Sequence, residues 1–143
     1  MSDNHVSFPP DGSVLRDLRA KVRTIAAGQG AEPAVCDNLA LVVDELVNNA
    51  IEHGESYRQQ RADLSVRISL DGERLSIEFF DPEMPDDAVD ELSQALAETA
   101  NGMPSLESER GRGLFLLTVY LEQLRAEAAP QGGLRLIGTI LRK

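Results

Sequence analysis

The sequence predicts a two-layer α/β sandwich in which helices cover one face of a mixed, mainly antiparallel sheet. Apolar and polar residues alternate in ADLSVRISL and in RLSIEFFD, as expected of two half-buried strands. Asp71-Gly72 between them is a hairpin turn signal. Two segments before this hairpin carry apolar residues at three- and four-residue steps, as amphipathic helices do. Strands joined by hairpins, with helices gathered on one side, form two layers.

The other segments complete a predicted order of β-α-α-β-β-α-α-β. His5 to Phe8 alternates and predicts a short edge strand, which two prolines then end. A first helix is predicted from Ser13 to Gly28 and a second from about Glu32 to His53. The rest is predicted as a weaker helix at Asp86 to Ala100, a polar loop over NGMPSLESERGRG, an apolar helix over LFLLTVYLEQL and a last strand over GGLRLIGTILR.

Composition indicates one cytoplasmic domain spanning residues 1–143. The length of 143 residues suits a single core. The net charge of −10 disfavours direct binding to the phosphate backbone of nucleic acids. No apolar run is long enough to cross a bilayer, and MSDNHVSFPPDGS does not resemble a secretory signal. Cys36, the one cysteine, excludes an internal disulfide and fits a reducing cytosol.

The second predicted helix carries a polar stripe. Glu45, Asn49 and His53 are four residues apart, so they stack along one line at the edge of the apolar face, beside Val42 and Leu46. Asn48 would point away from this line. A carboxylate there could act as a general base, and an amide oxygen suits Mg²⁺. The alternative is a polar boundary without function on an amphipathic helix.

Two later segments also carry groups suited to a nucleotide. Asp81 ends a predicted strand, and its carboxylate could accept a hydrogen bond from an exocyclic amine such as that of adenine. Gly111 and Gly113 precede an apolar helix, where backbone N–H groups can face an anion, and Arg110 and Arg112 add positive charge. The alternatives are a simple Asp-Pro turn and a flexible linker before a helix.

Taken together and in this order, the three segments resemble the histidine-kinase-like ATPase superfamily, whose domain has the Bergerat-type ATP-binding fold. The closest resemblance is to the anti-sigma serine kinases of the RsbW and SpoIIAB type. DELVNNAIEHG matches the family's asparagine box, E-x-x-x-N-x-x-x-H, and GRG at 111–113 matches its second glycine box. The resemblance implies ATP and Mg²⁺ as cofactors and an ATP lid at about residues 82–112.

The resemblance also implies a role for each site residue. Glu45 would be the catalytic base, Asn49 the Mg²⁺ ligand, and His53 a residue near the nucleotide. Asp81 would read the adenine amine. The phosphates would be wrapped by Arg110, Gly111, Arg112, Gly113 and Leu114. The implied partners are a STAS-domain anti-anti-sigma protein, which is phosphorylated on serine or threonine, a sequestered sigma factor, and a second copy of the chain in a homodimer.

One motif departs from the family. The first glycine box usually reads D-x-G-x-G, whereas this chain has DPEMP, so Glu83 and Pro85 replace both glycines. The replacement predicts weak ATP binding or a pre-set lid, and it leaves open a partner-binding module with little or no turnover. Two other classes are disfavoured. Against the ATPase domain of a sensor histidine kinase, no dimerisation helix with a phosphorylatable histidine is evident upstream. Against a metal hydrolase, the sequence has no histidine-rich ligand set.

The first helix offers a further candidate surface. Arg16, Arg19, Lys21 and Arg23 are basic residues on an otherwise acidic chain. They predict either a docking face for a protein partner or a solvated basic face.

Overall fold

The computed structural model of the chain describes residues 4–100 and 109–143, with the side chains of 99–100 and 109–112 outside that description. The elements follow the predicted order with one addition, the strand β4. They are β1 (His5–Phe8), a short 3₁₀ turn (Gly12–Val14), α1 (Leu15–Gly28), α2 (Pro33–Gly54), β2 (Leu64–Asp71), β3 (Arg74–Asp81), α3 (Asp86–Ala100), α4 (Glu109–Tyr120), β4 (Gln123–Ala128) and β5 (Leu134–Leu141).

The strands form one sheet in the order β1-β2-β3-β5-β4. Each pairing among the described strands is antiparallel, so the sheet is antiparallel throughout instead of mixed. One transverse row joins Val6, Val66, Phe79, Leu136 and Ala126, and all but Val6 are buried. Because side chains alternate across a strand, this row and its neighbours make one apolar face, which the helices cover. The predicted two-layer fold is confirmed.

Helix α2 is the central helix of the second layer. Its apolar positions at three- and four-residue steps, such as Leu39, Val43 and Val47, are fully buried. Each such side chain contributes about 1.5–3 kcal/mol when it is removed from water. Among the described residues, no helix combines the length and the apolar character that a membrane span requires.

Helix α1 packs on α2 through both apolar and charged contacts. Leu18, Val22 and Ala26 of α1 are buried. Two of its four predicted docking cations form ion pairs with α2: Arg19 lies 2.7 Å from Asp44, and Arg23 lies 3.0 Å from Asp37. The predicted basic face is therefore partly neutralised by α2, and Arg16 and Lys21 remain as exposed residues of α1.

The strand β4 was not predicted. The apolar segment LFLLTVYLEQL was expected to be helical to Leu124, but α4 ends at Tyr120 and Gln123 begins a strand. The segment QLRAEA consists largely of good helix formers, so its local propensity favours a helix. Its pairing with β5, in which Ala126 lies opposite Leu136, overrides that propensity.

The turn before β5 yields a stability prediction. Gly133 has φ +86°, and a Cβ at this position would lie 2.7 Å from the Pro82 Cα. Gly133→Ala is expected to cost about 2–4 kcal/mol, because left-handed strain of about 1–2 kcal/mol adds to a steric overlap. Urea denaturation measures the free energy of unfolding.

Gly132→Ala is the matched control. Gly132 also has positive φ, +97°, but an added Cβ would meet no atom within 4 Å. This variant is expected to cost only the backbone strain. Equal losses of stability in the two variants would contradict the close approach of Gly133 to the end of β3.

Candidate functional site

The predicted polar stripe lies along α2. Glu45, Asn49 and His53 are all half-buried, and Val42 and Leu46 beside them are buried. The stripe therefore lies at the edge of the core, as the sequence predicted. Asn48 is also half-buried, so burial alone does not separate the two amides.

The Glu45 carboxylate lies directly against α4. A Cβ built on Gly113 would overlap the carboxylate oxygen Oε1, so a larger residue there would require the Glu45 side chain to shift. Burial raises the pKa of Glu45 above its ordinary value, and the nearby charges of Asp44 and Glu52 raise it further. The structure thus brings a proton acceptor with a raised pKa to the N-terminal half of α4.

The second glycine box is helical. The predicted loop over NGMPSLESERGRG gives way to α4 at Glu109, so Arg110, Gly111 and Arg112 are in the first turn of this helix, with their side chains outside the described part. Leu114 is 2% exposed. Its side chain belongs to the core, and its N–H lies beyond the first turn of α4, the turn in which helix N–H groups have no intrahelical partner.

The predicted lid at 82–112 is described only in part. Asp86–Ala100 of this range form α3, as predicted, and residues 101–108 lie outside the described residues. Pro85 precedes α3, and its carbonyl oxygen accepts a hydrogen bond from the Val89 N–H at 3.0 Å. This proline therefore marks the start of a helix.

Asp81 is fully buried, at 0% exposure, and its carboxylate has no free acceptor position. It accepts hydrogen bonds from the Tyr57 hydroxyl at 2.8 Å, from Nη1 and Nη2 of Arg58 at 3.0 and 2.8 Å, and from the Glu83 N–H at 3.2 Å. An ionised carboxylate offers about four lone-pair sites. Four donors of the chain itself fill them.

Arg58 is the main partner of Asp81. Its side chain is 5% exposed, and Nη2 also donates to the Ala50 carbonyl at the end of α2, at 3.1 Å. Its guanidinium carbon lies 5.2 Å from the centroid of the Tyr57 ring, a cation–π distance. Burial alone would lower the pKa of Arg58, but the hydrogen bonds and charge of Asp81 hold it above the ordinary value. The pair is therefore a buried salt bridge.

Glu83 binds the backbone of the loop that carries Arg58. Its carboxylate accepts hydrogen bonds from the N–H groups of Gln59 at 3.2 Å, Gln60 at 2.7 Å and Ala62 at 3.1 Å. Partial burial would raise the pKa of Glu83, but these N–H groups and the Arg58 cation, 3.6 Å away, hold it below the ordinary value. The charge that replaces a glycine is thus matched by donors of the chain.

Sequence reasoning missed Tyr57 and Arg58. They lie in the polar segment ESYRQQRAD, which has no periodicity and no turn motif that would single them out. The one available signal was Glu83, because a carboxylate in place of a glycine needs a donor nearby. That signal indicates a compensating group but not which residue supplies it.

The site fits a Mg-nucleotide unequally at its two ends. At one end, Glu45 and Asn49 place a carboxylate and an amide oxygen at half-buried positions near Gly113, and such oxygens suit Mg²⁺. No cluster of three or more His, Cys, Asp or Glu suited to a metal occurs within residues 4–100 and 109–143, so protein ligands for Mg²⁺ would be few. At the other end Asp81 could receive a base only in exchange for one of its present donors.

Comparisons with solved structures support the fold. A chain of the SiaB–SiaC complex from Pseudomonas aeruginosa matches with a TM-score of 0.72 and 17% identity, over 95% of this chain and 88% of that one. A structure of the RsbU and RsbW domains of a Mycobacterium tuberculosis protein matches with a TM-score of 0.62 and 16% identity, over 96% of this chain and 31% of that one. Among curated proteins, none matches this sequence significantly.

The family assignment comes from the sequence. The family model described as the histidine kinase-like ATPase domain matches residues 8–138, which include α2, Asp81 and the glycines of α4. The chain therefore belongs to the histidine kinase-like ATPase domain family.

Proposed function

We propose that this protein is a partner-switching protein kinase of the anti-sigma type. In this proposal it uses Mg-ATP to phosphorylate a serine or threonine of a STAS-domain antagonist, and it holds a sigma factor in the alternative complex. The observation that carries the proposal is the Glu45 carboxylate, half-buried, with a raised pKa, against Gly113 and one helical turn from Asn49.

Glu45 suits the role of a general base. A carboxylate with a raised pKa is a better proton acceptor near neutral pH than an ordinary glutamate. Glu45 would take the proton of the attacking hydroxyl, and Asn49 would hold Mg²⁺ through its amide oxygen. Bound Mg-ATP would supply the phosphoryl group, with ADP leaving, and the cation would offset the developing negative charge.

The family and the two similar structures support a protein as partner. One of those structures is a complex of SiaB with SiaC, and the other joins RsbU and RsbW domains. Arg16 and Lys21 on α1 give this acidic chain an exposed basic place for a partner. A sigma factor, a STAS-domain protein and a second copy of the chain are the proposed partners.

A second candidate function is a partner-binding module without turnover. The occupied carboxylate of Asp81 favours it, because an adenine amine would have to displace a donor that the fold already supplies. In that case the chain would bind its protein partner equally well with and without nucleotide.

Phosphoryl transfer separates the two candidates. The chain is incubated with γ-labelled ATP, Mg²⁺ and purified STAS-domain proteins from the same genome. Label is expected on one of them, and Glu45→Gln is expected to lower the rate by about 10²–10⁴-fold, because the proton acceptor is lost. Glu73→Gln, which changes an exposed carboxylate in the β2–β3 turn, is the control. Tight partner binding without any labelling would favour the inert module.

Asn49 can be tested in the same assay through its dependence on Mg²⁺. Asn49→Ala removes the proposed amide ligand, so it is expected to raise the Mg²⁺ concentration needed for half-maximal transfer. Asn48→Ala is the matched control, since Asn48 is the adjacent and equally half-buried amide. An unchanged Mg²⁺ requirement in Asn49→Ala, or an equal change in both variants, would contradict the assignment.

The raised pKa of Glu45 also predicts a pH dependence of stability. The folded state binds the proton more tightly than the unfolded state, so this group stabilises the fold below its ordinary pKa of 4.5. That contribution is lost as the pH rises through the raised pKa. Glu45→Gln is expected to lack this decline in the free energy of unfolding, measured by denaturation from acidic to neutral pH. The same slope in both proteins would show that Glu45 is not desolvated.

A further inference from the structure

The loop between α2 and β2 is bound by two carboxylates, one from the last residue of β3 and one two residues beyond it. Asp81 binds its side chains, through Tyr57 and Arg58, and Glu83 binds its backbone, through the N–H groups of Gln59, Gln60 and Ala62. Both carboxylates belong to the DPE of the altered glycine box. The change from glycine to Glu83 and the position of Arg58 are therefore parts of one arrangement.

We propose that residues 57–62 form an internal latch, in which Arg58 occupies the base-binding carboxylate Asp81 and Glu83 holds the loop in place. A nucleotide then binds fully only when its base displaces Arg58 from Asp81. This inference rests on the proposed function, since it takes an adenine nucleotide as the ligand of the site. It adds that the chain regulates its own nucleotide affinity.

The chemistry of the guanidinium suits this competition. A guanidinium presents N–H donors in a plane, and Arg58 gives two of them to the two oxygens of Asp81. An adenine amine would seek the same oxygens, and the carboxylate already accepts about as many hydrogen bonds as it can. Arg58 and the base are therefore mutually exclusive ligands of Asp81.

The structure provides a place for the displaced side chain. Arg58 also lines a cavity of about 360 Å³, whose lining residues include Asp11, Ile51, Glu55 and Arg61. Asp11 and Glu55 are acidic and Arg61 is basic, so the displaced cation would still meet a net negative charge after leaving Asp81. Movement into this cavity would avoid leaving an unpaired charge in the core, which proteins tolerate poorly.

The backbone of the loop is also held away from its preferred conformation. Arg61 has φ +51°, a left-handed value that residues with a side chain rarely adopt. The hydrogen bonds of Gln60 and Ala62 to Glu83 flank this residue and keep it there. Release of the clamp would allow Arg61 to relax, which favours opening once Arg58 is displaced.

Nucleotide affinity tests the latch, with isothermal titration of Mg-ATP into wild type, Arg58→Ala and Glu83→Gly. Both variants are expected to bind Mg-ATP about tenfold or more tightly. In the wild type, the state with Arg58 away from Asp81 is rarely populated, which lowers the apparent affinity, and the variants populate it more. Arg67→Ala, which removes a half-exposed arginine on the open face of the sheet, is the control and should bind as wild type. Wild-type affinity in both latch variants would overturn the proposal.

Inosine triphosphate separates base competition from a simple change of charge. It carries a carbonyl oxygen where ATP has the amine, so the exocyclic donor proposed to bind Asp81 is replaced by an acceptor. The gain in Arg58→Ala is expected for ATP and not for inosine triphosphate. An equal gain for both nucleotides would overturn the latch, since Arg58 would then act only through the phosphates.

Arg58→Ala leaves the buried Asp81 carboxylate with fewer donors, which favours misfolding. Glu83→Gly is therefore the second variant on which the test relies. It keeps the Arg58 side chain but removes both the clamp on the loop and the Glu83 carboxylate 3.6 Å from Arg58, so Arg58 should leave Asp81 more readily. Hydrogen exchange on the wild-type protein adds a direct readout: saturating Mg-ATP should speed exchange at Gln60 and Ala62, whose N–H groups the latch protects. Unchanged protection in the ATP-bound protein would overturn the latch.

The outcomes also separate this inference from the proposed function. Tight ATP binding and transfer by the wild type, unchanged in the latch variants, would overturn the latch and leave the kinase in place. No binding of ATP by any of the three proteins would overturn both.

Discussion

The buried salt bridge between Asp81 and Arg58 is the constraint on which the rest of this structure depends. It joins the end of β3 to the loop after α2, and through the Ala50 carbonyl it also joins that loop to α2 itself. Removing one member of such a pair leaves an uncompensated charge in the core, at a cost of about 3–5 kcal/mol. The salt bridge therefore fixes the end of β3, the loop after α2 and α2 itself relative to one another.

The two ends of the site follow different physical rules. At the α4 end, a polar stripe lies at the boundary of the core, and Glu45 is partly desolvated. Such a group is unfavourable for stability and useful for proton transfer. At the β3 end, every acceptor position of Asp81 is filled from within the chain. One end carries the group proposed as the general base, and at the other the carboxylate is bound within the fold.

The altered glycine box gains a physical explanation from this contrast. Glycines at these positions would permit close backbone approach to a ligand. Glu83 in their place binds a run of backbone N–H groups, and Pro85 fixes the start of α3. The substitution that looks like the loss of a binding motif is also the gain of a structural clamp. Under the proposed latch, the same change would keep the fold and lower the affinity for a nucleotide.

The sequence by itself determined the helices and strands whose apolar periodicity is strong, the layer order, and the stripe of Glu45, Asn49 and His53, because these depend on residues close in sequence. It also singled out Asp81 and Gly113 as candidates. Only the tertiary structure decided that β4 is a strand, that the sheet is antiparallel throughout, and that Arg58 binds Asp81. These depend on partners far apart in sequence, and a polar loop without periodicity carries no local sign of the carboxylate that its arginine will meet.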